Sequence, residues 1–478
     1  MSPERSRLDL PRQADGSWWL EECLALPEFA GPRTPPLVRD TTADVVIMGG
    51  GYTGMWTAWS LLEREPGVDV VLLEQGICGG GPSGRNGGFC NGLWEEADLL
   101  IAELGPEGAQ RTALAAEACI AEIGAWCEEH AVDAWFDVVG HLGVSTSAAQ
   151  DGAWRPTVEA AQSLGSSWYV ELTPAEVRER CGSPVFRAGV LTPGAAIVQP
   201  ARLARGLRRV LVERGVRVFE GTPVTRFRGR RGAVQVDTPG GTVRAGSGVL
   251  GLGAYAAPLD PFRRTVLPRG TYIVLTEPIP DRLEELGWTG GEGVYDLRTA
   301  LHYVRTTRDG RIAFGAASSR AGLGTGLGPR LRYDERSVRR LLHDFARWFP
   351  TLADVRFECA WGGPMDVTGL HIPFFGSLPG GGVHYGLGYT GGGVGPCRLG
   401  GKILAGLALG VEDEHTSLPL VGLLPKPFPP GAIRSVGAAI AQEAIVRKDE
   451  AEDEGRRPGW LIDLTARLPR RMGYHLGP

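Results

Sequence analysis

Gly49-Gly50-Gly51-Tyr52-Thr53-Gly54 sets three glycines in G-x-G-x-x-G order, and Glu74 follows Gly54 by 20 residues. That spacing is what an ADP-bearing dinucleotide needs. Gly49 allows a tight turn, Gly51 lets the backbone approach a pyrophosphate, Gly54 lets a helix press on a strand, and Glu74 can bind a ribose 2′-hydroxyl. FAD and NAD both present ADP, so this motif alone does not choose between them. A second block, Gly84-Arg85-Asn86-Gly87-Gly88 within GICGGGPSGRNGGFCNG, suits a backbone-lined groove along a flavin's phosphates and ring edge; its alternative is a surface loop. A third, Gly388-Tyr389-Thr390-Gly391-Gly392-Gly393-Val394-Gly395, precedes a helical stretch. A helix start led by glycines offers partial positive charge to the N1–C2=O edge of a flavin, or simply makes a tight loop before a packing helix.

These blocks need rigid elements behind them. Ala43–Met48 and Val68–Glu74 are continuous apolar runs, as expected of strands buried on both faces, with a helix from Tyr52 to about Glu63 between them: one βαβ unit. Pro200–Arg214 predicts an amphipathic helix, and Gly215–Phe219 and Gly248–Gly253 predict further strands of the same kind. Residues 270–345 instead alternate apolar and polar, with a turn at Asp309-Gly310, which predicts antiparallel hairpins. The fold class expected is therefore α/β: a discontinuous Rossmann-like dinucleotide-binding domain with a parallel sheet (41–100, 185–268 and 355–412) and an inserted antiparallel-sheet α+β substrate domain (101–184 and 269–354). An extended N-terminal arm (1–40) and a C-terminal helical tail (413–478) flank them. Trp460, Leu461, Leu464 and Leu468 recur in that tail at helical spacing beside Arg467, Arg470 and Arg471. The expectation is a helix docked on the body by that apolar stripe, a membrane surface being the alternative.

Composition narrows the class. The 478 residues exceed what one hydrophobic core usually organises. A net charge of −5 with dispersed basic residues excludes a nucleic-acid-binding face. The 8 cysteines show neither Cys-x-x-Cys nor Cys/His ligand spacing, so no metal site and no disulfide framework is expected, and reduced thiols imply a cytoplasmic protein. No run of residues approaches membrane-spanning length.

The three blocks, in this order, resemble those of the D-amino-acid oxidase-like (glycine/sarcosine oxidase) superfamily of FAD-dependent oxidoreductases. The likeness is strongest to the branch typified by gamma-glutamylputrescine oxidoreductase. It is carried by TADVVIMGGGYTG, SGRNGG, TPGAAIVQPARLARGL, VRVFEGTPVTRF, the WGGP segment (361–364) leading to PFFG (373–376), and GYTGGGV, over about 40–410. The resemblance implies FAD, held non-covalently by Gly49, Gly51, Thr53, Gly54, Glu74, Ser83, Arg85, Asn86, Gly87, Gly88, Val224, Gly362, Gly391, Gly392, Gly393 and Val394. It further implies oxidation of an amine or amino acid by hydride transfer to flavin N5, with oxygen, a quinone or another carrier taking the electrons; the alternatives are a flavin dehydrogenase of a hydroxy acid or polyol phosphate, which the same fold hosts, and a non-catalytic flavoprotein subunit. Tyr272, His302, Tyr303 and Arg305 on the antiparallel sheet, with Trp361 and Tyr389 near the flavin, are the candidate substrate-side residues. Strand alternation puts Tyr303 and Arg305 on one face and His302 on the other. Arg305 either holds a substrate carboxylate or is an ordinary strand arginine; His302 is either a base or a satisfied sheet residue; Trp361 and Tyr389 are pocket walls or core. Sarcosine-oxidase-like relatives carry a lysine over the flavin, on a strand corresponding to residues 311–315. Ala313 stands at that place, and no lysine precedes Lys402.

Overall fold

The computed structural model describes residues 10–321 and 326–475. Among these, two large sheets divide the chain. The first is built on β1 (Thr41–Met48), α1 (Tyr52–Arg64) and β2 (Val70–Leu73). β1 pairs in parallel with β2 on one side and with Gly241–Leu250 on the other; β2 pairs in parallel with Arg217–Phe219, which follows the amphipathic helix α2 (Pro200–Glu213). An antiparallel flap (Arg226–Arg230, Ala233–Thr238) and the strand Val383–Leu387 extend this sheet. Val45 to Met48 and Val70 to Leu73 are all at most 2% exposed, which is why both segments read as unbroken apolar runs.

The second sheet has nine strands, in the order Arg12–Gln13, β7 (Phe357–Val367), β3 (Leu267–Thr276), β6 (Ile312–Ala321), β5 (His302–Thr306), β4 (Gly293–Asp296), His141–Val144, Gly189–Thr192 and Val170–Leu172. β3, β5, β6 and β7 pair antiparallel throughout. Its outer face is covered by the amphipathic helix α3 (Glu335–Trp348), which buries Val338, Leu341, Leu342, Phe345 and Trp348 against it. Its inner face looks toward the dinucleotide-binding unit. β7 and Gly189–Thr192, expected within the dinucleotide-binding segments, belong instead to this sheet.

Two expectations about the ends are corrected. The N-terminal arm is not extended throughout: Trp18–Leu24 forms a helix capped by Ser17, whose hydroxyl accepts from Leu20 N and donates to the Gly84 carbonyl. Trp19 is 0% exposed. The C-terminal tail forms α5 (Gly431–Asp453) and α6 (Trp460–Arg471). α6 packs on α5 with the face opposite to its apolar stripe, so Trp460, Leu461, Leu464 and Leu468 are exposed rather than docked. No described helix is long and apolar enough to cross a membrane.

Candidate functional site: a dinucleotide cradle facing a sheet

The glycines of the first block are required by contact. Gly49 has φ +110°, and a Cβ there would lie 2.5 Å from the Gly251 carbonyl oxygen. A Cβ on Gly54 would lie 2.0 Å from the Gly49 oxygen, so the helix could not seat on the turn. Gly51 caps α1 without any side chain that competes for the helix's first amides. Glu74 leaves the end of β2 and accepts from Gly50 N at 2.8 Å and Gly76 N at 2.7 Å; burial raises its pKa despite those amides. Thr222 N, bonded to the Glu74 carbonyl at 2.8 Å, brings the loop carrying half-buried Val224 beside it.

The second block closes on the first. Gly79 N donates to the Gly50 carbonyl (2.9 Å), and Ser83 Oγ accepts from Tyr52 N (2.9 Å) in the first turn of α1. Asn86 folds the loop on itself, donating to the Pro82 and Ser83 carbonyls and accepting from Gly88 N at 2.8 Å. Arg85 donates through Nε to the Gly80 carbonyl, and among the described residues no carboxylate pairs with it; burial lowers its pKa. A largely buried cation that no carboxylate bonds, beside a helix start whose capping residue carries no side chain, fits a pyrophosphate.

The third block leads into α4 (Pro396–Leu409). Asp366, buried on β7, accepts from Gly388 N at 2.7 Å; burial pushes its carboxyl up to about 6, against the pull of the loop amides. Thr53 Oγ1 meets Cys397 Sγ at 3.3 Å, and a Cβ on Gly395 would lie 2.1 Å from the Asn91 oxygen, so this block touches both others. Gly391 and Gly393 lie in the loop, and Gly392 faces open space apart from the Tyr389 oxygen at 3.8 Å. Val394 is buried. The Tyr389 hydroxyl runs toward α4, where a Cβ on Gly400 would lie 2.3 Å from it, so Tyr389 packs the helix seam and turns no hydroxyl to a substrate.

The inner face of the nine-stranded sheet lies against the second block. The Tyr303 ring covers Gly87 and Gly315, where added Cβ atoms would lie 2.9 and 2.4 Å away, and its hydroxyl shares a 2.7 Å hydrogen bond with Thr271 Oγ1. Arg305 donates to the Val198 carbonyl (2.5 Å) and to the Gly87 carbonyl (3.5 Å), with its guanidinium over Trp19. It thus clamps loop to sheet; burial depresses its pKa. Trp361 is 1% exposed and donates Nε1–H to the Arg85 carbonyl at 2.9 Å, a wall behind the loop. Ala313, directly across from Arg305, is buried on this same inner side. Lys402 pairs with Glu122.

His302 and Tyr272 are not brought to this face. His302 lies between Asp296 (2.8 Å) and Asp344 (3.0 Å) beneath α3. Tyr272 points the same way and fills the space left by Gly362, whose Cβ would lie 2.5 Å from its ring. Gly362 is thus explained by Tyr272 packing, and it is Gly363 that faces Arg85. Both residues border a cavity of about 230 Å³ on the outer side of the sheet, and neither remains a candidate for substrate contact. Sequence reasoning missed Thr271, Gly315 and Gly363. It also missed Phe89, whose ring meets Tyr303 at 5.8 Å and His141 at 4.8 Å, and Tyr295, the cross-strand partner of Tyr303. Alternation in TYIVL marks Thr271 as opposite to Tyr272, but nothing local says which face meets the loop.

Comparison with known proteins agrees with this geometry. Residues 44–407 match the DAO family, described as FAD dependent oxidoreductase. The chain is 34% identical over 414 residues to the probable oxidoreductase OrdL of Rhizobium meliloti, covering 86% of this chain and 92% of that one. It is 29% identical to the gamma-glutamylputrescine oxidoreductase of Escherichia coli, covering 83% and 90% of the two chains. Glycine oxidase from Geobacillus kaustophilus superposes with a TM-score of 0.64 at 22% identity, over 78% of this chain and 96% of that one, a likeness of fold.

Proposed function

From the premise that this chain belongs to the DAO family of FAD-dependent oxidoreductases, we propose that it dehydrogenates the C–N bond of a small amine at the Tyr303 face of the nine-stranded sheet. The observation that carries this reading is the Tyr303 ring laid over Gly87 and Gly315, with Phe89 and Tyr295 beside it. Bound non-covalently, FAD would supply a two-electron acceptor for hydride. Gly49, Gly51, Gly54, Ser83 and Arg85 would hold its pyrophosphate, Glu74 its ribose, Val224 the adenine side, and the Gly391–Gly393 loop with the start of α4 the polar ring edge. Arg305 fixes the Gly87 carbonyl, and Asp366 fixes the start of the third loop.

The aromatic wall excludes water. In such surroundings an ammonium loses stability relative to the neutral amine, which sheds its proton to solvent on entry and keeps a lone pair. As hydride leaves the α-carbon, that lone pair forms the iminium ion, which gives up a proton to become the imine, and after release water hydrolyses it to a carbonyl and an amine or ammonia. Ala313 and the engagement of Lys402 with Glu122 leave this face without a lysine, and support slow reaction with oxygen and delivery of electrons to another carrier.

Anaerobic mixing of the yellow protein with panels of amines, amino acids and hydroxy acids tests the substrate class through loss of absorbance near 450 nm. Bleaching by hydroxy acids alone would overturn the C–N reading. Reoxidation followed in a stopped-flow instrument tests the acceptor: fast reaction with air alone refutes it.

A further inference from the structure

We propose that α6 is a lipid-docking element, through which the enzyme lies on an anionic membrane surface. Trp460 is 78% exposed, Leu461 59%, Leu464 40%, Leu468 48% and the capping residue Met472 45%. At 3.6 residues per turn these five side chains occupy an arc of about 120° on one side of the helix. Ile462, Thr465, Ala466 and Pro469 on the other side are half-buried, and α6 packs on α5.

The stripe is not the exposed side of a loose tail. Beyond α6, Tyr474 is buried and stacks on Phe428 at 5.2 Å, Lys426 Nζ donates to the Met472 carbonyl at 2.6 Å, and His475 N donates to the Gly369 carbonyl at 3.0 Å. The body therefore holds the C-terminal end of the helix, α5 holds the side opposite the stripe, and the apolar stripe is presented outward. Five large apolar residues on one side of a fixed helix are costly to leave in water and mark an interaction surface.

Charge selects the occupant. Residues 454–472 carry Arg456, Arg457, Arg467, Arg470 and Arg471 against Glu454 and Asp463, in a chain whose net charge is −5. Arg467 borders the stripe, Arg471 falls within its arc at the C-terminal end, and among the described residues Arg470 and Arg471 have no carboxylate partner. An apolar stripe with tryptophan at one end and an arginine border is the pattern of a helix lying in the lipid interface, apolar side down. A second copy of the chain, laid stripe to stripe, would instead oppose two arginine-rich segments. The 12 residues of α6 are too few to cross a bilayer, so the helix lies along it.

The test uses the FAD-loaded full chain, co-sedimented with vesicles of phosphatidylcholine alone or mixed with phosphatidylglycerol and followed by flavin absorbance in the pellet. Binding is expected on the anionic vesicles only, weakening as salt is raised. Arg470→Gln/Arg471→Gln, at exposed positions, should weaken it by roughly tenfold or more, and Leu464→Glu/Leu468→Glu should abolish it, with flavin content unchanged in both. Failure of the wild type to sediment, equal binding to neutral vesicles, or wild-type binding by the arginine variant overturns the proposal. So does a wild-type dimer in sedimentation velocity that the leucine variant dissolves. None of these readouts depends on which substrate the enzyme oxidises.

Discussion

Replacing Gly54 by alanine adds a single methyl group at the point where α1 crosses the turn after β1. That carbon would lie 2.0 Å from the Gly49 oxygen and 3.1 Å from Ile47 Cγ2, both parts of the buried strand-turn unit. To reach ordinary contact distance the helix start and the turn must separate by roughly 1 Å or more. Overpacking of this kind costs about 1–3 kcal/mol. The amides displaced are those that face the pyrophosphate, so the cost falls on FAD binding: each 1.4 kcal/mol is tenfold, giving a Kd weaker by roughly fivefold to 150-fold. Gly67→Ala, between α1 and β2, is the control, because a Cβ there meets nothing within 4 Å. Apoprotein of each variant would be titrated with FAD by quenching of protein fluorescence, alongside thermal melts of both apoproteins. Gly54→Ala should lose affinity while Gly67→Ala does not. A Gly54→Ala protein that binds FAD as the wild type does would refute the claim that α1 must seat on that turn.

Other expectations concern the outer side of the sheet and the thiols. His302→Leu leaves Asp296 and Asp344 buried without their shared partner and should cost about 3–5 kcal/mol of stability in urea melts, while FAD affinity and the amine saturation profile stay unchanged. A loss of substrate affinity without loss of stability would return His302 to the active site. The docking of α5 should weaken as pH rises. His302 has a raised pKa because the charge and hydrogen bonds of Asp296, with Asp344, outweigh burial, and burial lifts Asp449 to about 6 against the pull of Arg298. In both groups the folded state favours the protonated form. Their contribution is thus complete below the ordinary values of 6.5 and 3.8, and it is lost as pH climbs through the folded values, between about 4 and 6 for Asp449 and above 6.5 for His302. Hydrogen-exchange protection factors across residues 431–453, taken relative to the intrinsic exchange rate at each pH, should fall from mildly acidic to mildly alkaline pH; unchanged or higher protection at alkaline pH contradicts this. Cys23, Cys78, Cys90, Cys119, Cys127, Cys181, Cys359 and Cys397 are all buried, with thiol pKa values pushed up by burial. A thiol reagent should therefore label the native protein slowly and all 8 positions after unfolding; fast labelling of Cys397 would show an open path into the α1–α4 seam.

The cradle was legible in the chain because its determinants are local. A turn at φ +110° admits glycine and little else, a helix pressed on a strand needs Gly54, and an acid at the end of the next strand is fixed by βαβ length. Alternation likewise separates His302 from Tyr303 and Arg305, since successive strand residues point to opposite faces.

What the sequence left open were the pairings. Nothing in WGGP or TYIVL says that β7 joins β3, that Gly363 rather than Gly362 faces Arg85, or that Arg305 spends its donors on the Val198 and Gly87 carbonyls. Those facts depend on partners far away in the chain, and strand alternation fixes which residues share a face without fixing what that face meets. The same holds for α6: its periodicity defined an apolar stripe, and only the packing of α5 against the opposite side decided that the stripe faces solvent.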